Sequence, residues 1–236
     1  MTEPTWTLRY RATREAGISP LADIYLPARP TGASAVLVHG GGFVIGSRRM
    51  KPMRFLASRL VREHIAVCAI DYRMIFRGGR LDEAVADVRA ALAFWYTRVP
   101  PLGLDPQAVS VIGLSAGATL ALLATTDTPV ARLACCFGLY ELDHLRGVSS
   151  ILPRMLFRTA DRSRWRVAAQ PAMPTLVLHG DADRLVPVEQ AHRLAAQREA
   201  AGLPTRLVVL PGAPHAFFNL PVPADAGVTV LLEHLN

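Results

Sequence analysis

Seven residues constrain this chain more than any others: Val111-Ile112-Gly113-Leu114-Ser115-Ala116-Gly117. A β-branched run that includes Val109 and Val111 leads in, and Ala118-Thr119-Leu120-Ala121-Leu122-Leu123-Ala124 leads out with strong helix formers. A strand must therefore pass into a helix through a turn of almost no length. Glycines two positions either side of Ser115 remove side chains that so sharp a bend would drive into a neighbouring segment. The bend lifts the Ser115 hydroxyl off the strand end and leaves the Ala116 N–H at a helix N-terminus, facing any developing negative charge. An αβ turn capped by a small residue would carry the same letters. Reading Ser115 as a nucleophile therefore requires the rest of the chain to supply a base, an acid to orient it, and oxyanion donors.

Around this turn the periodicity alternates between two and 3.6. Trp6 to Tyr10 and Leu21 to Leu26 read as an antiparallel edge pair, and Ala35 to Val38 as a short strand covered on both faces. His39-Gly40-Gly41-Gly42-Phe43 then breaks all regularity. Helices are predicted at 51–63, 81–97, 188–201 and 224–235, and strands at 65–70, 133–139, 175–178 and 206–210. Alternating β and α segments specify a mostly parallel, doubly wound α/β sheet of about eight strands with helices on both faces, its site at the carboxyl ends of the strands. One stretch, 141–172, has no clean period beyond an amphipathic piece at 151–157. An insertion of that kind between two strands reads as a small lid or pocket wall within a single domain spanning 1–236.

Composition removes several classes. With 51% apolar and 19% charged residues the 236-residue chain is globular, with core enough for one large domain. The net charge of +7 rests almost wholly on arginine, Lys51 being the sole lysine, and the arginines are spread without a basic run, so no nucleic-acid partner is expected. Those at 154, 158, 162, 164 and 166 read as solvated surface, or, if they rim the site, as favouring an anionic substrate. No apolar run approaches the ~20 residues of a membrane span, and the N-terminus has no signal-peptide pattern. Cys68, Cys135 and Cys136 form neither a disulfide framework nor a metal spacing, so a reducing, cytoplasmic setting is expected.

Seven histidines compete to be the base. On such a sheet the acid and then the histidine follow the serine in sequence, which removes His39 and His64. His192 and His234 fall in helices, while His144 and His179 precede most candidate acids. His215 remains, in the irregular Pro211-Gly212-Ala213-Pro214-His215-Ala216-Phe217 just past a strand. Asp181 and Asp183 both follow the strand at 175–178 and both could orient it; alternatively they form an Asx turn, or join His179 on a metal.

Taken together, His39-Gly40-Gly41-Gly42-Phe43, Gly113-x-Ser115-x-Gly117, His179-Gly180-x-x-Asp183-x-x-Val186-Pro187 and Pro211-Gly212-x-x-His215-x-Phe217 resemble the α/β-hydrolase superfamily, in its carboxylesterase branch of hormone-sensitive-lipase-like and small bacterial esterases. Asp71-Tyr72-Arg73 and the Asp87 segment are weaker echoes. The resemblance implies Ser115 as nucleophile, His215 as base, Asp183 rather than Asp181 as its orienter, and an oxyanion hole from the backbone of Gly41, Gly42 and Ala116. It implies cleavage of a small or short-acyl carboxylic ester through an acyl-enzyme, without a cofactor or metal. His39, Asp71 and Asp87 are expected to brace loops, and Phe43, Tyr140, Phe157, Trp165 and Phe217 to wall the pocket. Leu114 and Pro214 depart from the branch's usual residues, and a long N-terminal cap is missing, which leaves 141–172 to cover the site. Amide or formamide hydrolysis, acyl transfer, or ligand binding without catalysis are the alternatives on the same scaffold.

Overall fold

The computed structural model describes residues 2–12, 20–75, 79–142 and 171–236. Among these, eight strands form one sheet: β1 (Trp6–Arg9), β2 (Leu21–Tyr25), β3 (Ser34–Val38), β4 (Ala66–Ile70), β5 (Val109–Leu114), β6 (Arg132–Cys136), β7 (Thr175–Gly180) and β8 (Thr205–Leu210). Their spatial order is β1-β2-β4-β3-β5-β6-β7-β8. The β1–β2 and β2–β4 pairs are antiparallel and the others parallel. From β3 the chain crosses first to β4 on one side and later to β5 on the other. A crevice therefore opens between the carboxyl ends of β3 and β5, where the winding reverses.

Strand alternation divides the core in two. Val36, Val38, Cys68, Val111, Cys135 and Val177 face helices α2 (Leu81–Arg98), α3 (Ala116–Ala124) and α4 (Glu189–Ala200). Ala35, Leu37, Val67, Ile112, Cys136 and Leu178 face α1 (Lys51–Arg62) and α5 (Pro221–Leu235). Helix α2 begins with the Glu83 carboxylate accepting from the Arg80 N–H at 3.0 Å, and Asp82 and Glu83 in its first turn suit the positive end of the dipole. Pro100 and Pro101, just beyond its end, cannot continue it.

Two boundaries differ from the sequence reading by three residues, the others by two or fewer. Strand β6 stops at Cys136 rather than 139, because Phe137 takes φ 41° and turns the chain out of the sheet. Helix α5 starts at Pro221, three residues early: prolines are tolerated in a first turn, where no intrahelical acceptor exists for an N–H. The amphipathic piece 151–157, most of the insertion 141–172 and the arginines at 154–166 lie outside the described residues. Its two flanks are held by α4. Gln190 accepts from the N–H groups of Tyr140 and Glu141 at 2.9 and 2.7 Å, and fully buried Arg198 donates to the carbonyls of Pro171 and Met173 at 2.9 and 3.2 Å.

Candidate active site

The turn at Ser115 has the geometry its glycines require. Ser115 sits at φ 52°, ψ −119°, a conformation that a non-glycine residue holds only when its surroundings over-determine it. They do so by contact on both sides. A Cβ on Gly113 would lie 2.4 Å from the Gly117 carbonyl oxygen, and one on Gly117 would lie 2.3 Å from that of Val38. Strand β5, helix α3 and strand β3 are thus packed backbone against backbone, and the Ser115 side chain leaves the turn towards a cavity.

Above it, two loops converge. His215 follows β8, and its Nε2 stands 3.1 Å from Ser115 Oγ. Asp183 follows β7, and its Oδ2 stands 2.7 Å from His215 Nδ1. A carboxylate can only accept, so Nδ1 carries the proton and Nε2 presents its lone pair to the hydroxyl. The Asp183 side chain is fully buried, and its Oδ1 accepts the N–H groups of Leu185 and Val186 at 2.9 and 2.8 Å. Burial works against the carboxylate charge. The hydrogen bonds from His179, His215 and Val186 outweigh it, holding the carboxyl well below its ordinary range. Asp181 faces elsewhere and accepts from the Gly212 N–H at 2.6 Å, bracing the His215 loop.

On the other side of Ser115 lies the glycine loop. Gly41 adopts φ 117° and Gly42 φ 61°, and the Gly41 carbonyl accepts the N–H groups of Val44 and Ile45, both at 3.0 Å, so the loop curls over the serine. A Cβ on Gly41 would lie 1.8 Å from the Ile45 oxygen, whereas one on Gly42 would meet nothing within 4 Å. Gly41, Gly42 and Ala116 all border one cavity, and the Ala116 N–H, at the first position of α3, has no acceptor within its own helix.

Buried ionic groups hold this loop from below. Arg48 donates its backbone N–H to Asp71 Oδ1 at 2.7 Å, its guanidinium pairs with Asp71, and its Nε lies 2.9 Å from fully buried Asp23. Arg49 reaches the same Asp23 at 2.7 Å. His39 is fully buried, stacked at 4.2 Å on Tyr72, with Nδ1 donating to the Gly40 carbonyl at 2.6 Å. Desolvation lowers its pKa. His39 and Asp71 are thus placed to brace, as is Asp87, which grips Arg73 through its backbone N–H and guanidinium at 2.8 to 2.9 Å.

The cavity over Ser115 has a volume of about 520 Å³ and an apolar lining that runs from Gly40–Ile45 past Met50, Pro52 and Met53 to Leu139 and Leu185. Of the five aromatic residues expected in its wall, Phe43 borders it. Phe157 and Trp165 lie outside the described residues. Tyr140 and Phe217 stand behind the wall instead: Tyr140 is buried with its backbone tied to Gln190, and Phe217 packs edge-on against Phe137 at 5.0 Å. Phe137 is the wall residue, and its ring also meets His215 edge-on at 5.2 Å. Sequence reading missed Met50 and Met53 because their spacing fits an ordinary core face. Their position immediately after the glycine loop was the available signal. Among the described residues no group of His, Cys, Asp and Glu could hold a metal ion, and His179 instead points at Asp183 and the Val186 carbonyl.

Comparison with known proteins agrees with this architecture. The BD-FAE family model matches residues 22–143, slightly more than half of the chain. Esterase LipC of Mycobacterium tuberculosis is 29% identical over 222 residues, covering 81% of this chain and 54% of LipC. The chain spans about half the length of the curated relatives it matches. A truncated carbohydrate esterase from gut microbiota superposes with a TM-score of 0.82 at 18% identity over 99% of each chain. Thermogutta terrifontis esterase 2, phosphonylated by sarin, superposes with 0.79 at 22% identity, covering all of this chain and 95% of its own. By its sheet and by that family match, the chain belongs to BD-FAE, a carboxylesterase family of the α/β-hydrolase fold.

Proposed function

We propose that this chain is a serine carboxylesterase acting on neutral esters with an apolar acyl group of short to moderate length. The observation that carries the reading is the continuous chain from Ser115 Oγ to His215 at 3.1 Å and on to Asp183 at 2.7 Å, opening onto an apolar cavity. Ser115 attacks the carbonyl carbon while His215 Nε2 takes its proton. The oxyanion is met by the N–H groups of Gly41, Gly42 and Ala116, each such donor being worth ~3 kcal/mol, or ~10²-fold in rate. His215 then passes the proton to the departing alkoxide. Asp183 stabilises the imidazolium throughout, and water repeats the cycle on the acyl-enzyme. Among the described residues that border the cavity, the His215 imidazole is the one titratable side chain and no carboxylate, lysine or arginine is present, so nothing there would hold an ionic acyl group.

Fluorophosphonate labelling with peptide mapping tests the nucleophile: label is expected on Ser115, and none on the Ser115→Ala protein, whose ester turnover should fall by on the order of 10⁴-fold or more. A p-nitrophenyl ester series set beside the matching anilides tests the bond. Turnover of anilides without esters, or label on a different serine, would overturn the proposal.

A further inference from the structure

Asp183 is gripped by two imidazoles, and the mechanism uses only one of them. His179, the penultimate residue of β7, is fully buried, and its Nε2 lies 3.2 Å from Asp183 Oδ2 and 3.0 Å from the Val186 carbonyl oxygen. Both neighbours are acceptors, so Nε2 carries the proton and is shared between them. The opposite nitrogen, Nδ1, is buried with no hydrogen-bond partner among the described residues. The hydrogen bonds that orient this buried ring are therefore those of Nε2. The oxygen it meets is the same Oδ2 that receives His215 Nδ1–H.

We infer that His179 is a positioning residue which fixes the Asp183 carboxylate and draws part of its charge away from His215, setting the basicity of the imidazole that serves Ser115. This rests on the function proposed above. Oδ1 is already filled by the N–H groups of Leu185 and Val186, so Oδ2 is the only oxygen left for His215, and His179 competes for it. An anion that divides its charge between two donors stabilises the imidazolium less than one devoted to it. Other ionic groups in these loops are committed or turned away: Asp181 is paired with the Gly212 N–H, and Arg184 is exposed. Facing His215 from β5 and β6 are the Ser115 hydroxyl and the uncharged edge of Phe137.

The rate of Ser115 phosphonylation as a function of pH reads His215 directly and requires no identified substrate. His179→Met, which fills the space without a donor, is expected to raise the midpoint of that profile by roughly 0.5–1 unit. His179→Gln, whose amide can restore an N–H near the Nε2 position, is expected to keep the midpoint within about 0.2 unit of the parent. If the methionine protein does not fold, His179→Asn, whose shorter amide stops short of that position, carries the same expectation. A role confined to stability would lower the fraction of labelled protein and leave every midpoint unchanged; that result, or equal shifts with and without a donor, overturns the inference. Absence of label on parental Ser115 would instead overturn the proposed function, so the two failures are distinguishable.

Discussion

At the scale of single residues, the site depends on atoms that are missing. Gly117 has a backbone that an alanine could adopt, yet its absent Cβ leaves just enough room for the Val38 carbonyl. A methyl group there would have to push β3 from α3 at the one place where strand, turn and helix touch through main chain alone. Gly117→Ala should therefore cost about 1–3 kcal/mol of stability in urea unfolding, as overpacking does. Its effect on ester turnover should be larger still, since displacing Ser115 by even part of an ångström spoils the approach to a carbonyl carbon. Gly42 makes the contrast: its added Cβ meets no neighbour, but φ 61° penalises a side chain. Gly42→Ala should lose about 1 kcal/mol through backbone strain alone. A Gly117→Ala protein as stable and as active as the parent would show that the close approach is not required.

At the scale of elements, the glycine loop cannot hold its own shape, because its residues have neither side chains to pack nor a ladder to join. The Asp23–Arg48–Asp71 network supplies what is missing by tying the loop's far end to β2 and to the end of β4. Arg48→Met would leave Asp71 without its guanidinium and Asp23 with only Arg49 and the Thr7 hydroxyl. Breaking such a buried pair should cost about 3–5 kcal/mol, and kcat should fall by more than KM rises, because the loop's N–H groups matter most once the oxyanion has formed. Steady-state kinetics beside thermal unfolding would check both. The sequence made this loop legible as a glycine run, and periodicity located every strand and helix around it to within a few residues. The clamp was not legible, because Arg48 and Asp71 are one pair among many possible pairings of 26 cations and 19 acids, and only the sheet order brings them together. The same holds for the wall. A buried aromatic in sequence does not reveal whether it borders a cavity, as Phe137 does, or backs it, as Phe217 does. Ser115 and His215 could be read as candidates because each is bracketed by glycine or proline just past a strand, where regular structure has to end, whereas Asp181 and Asp183 share one such stretch and only the family resemblance chose between them.

At the scale of the whole molecule, the buried histidines that do no chemistry tie stability to pH between 6.5 and 4. His234, in the last turn of α5, donates from Nε2 to the Leu133 carbonyl at 3.0 Å and so fastens the C-terminal helix to β6. Burial depresses its pKa from 6.5 to about 4, although the bond to Leu133 works the other way. Unfolded, the ring binds a proton near its ordinary value; folded, it resists until about 4. Its contribution is complete above pH 6.5 and is lost progressively as the pH falls towards 4, amounting to about 3 kcal/mol. His39 is shifted in the same direction by burial beneath the glycine loop. The depressed carboxylates Asp183 and Asp23 behave differently, their contributions remaining intact down to the ordinary carboxylate value of 3.8 and being lost only below it. Between pH 6.5 and 4 the loss is therefore a histidine effect. His234→Gln, which keeps an N–H donor but cannot titrate, should be slightly less stable than the parent at pH 7.5 and should lose about 2–3 kcal/mol less on going to pH 4.5. Urea unfolding at the two pH values measures this difference, and parallel losses in the two proteins would assign the acid sensitivity to His39 and the glycine loop instead.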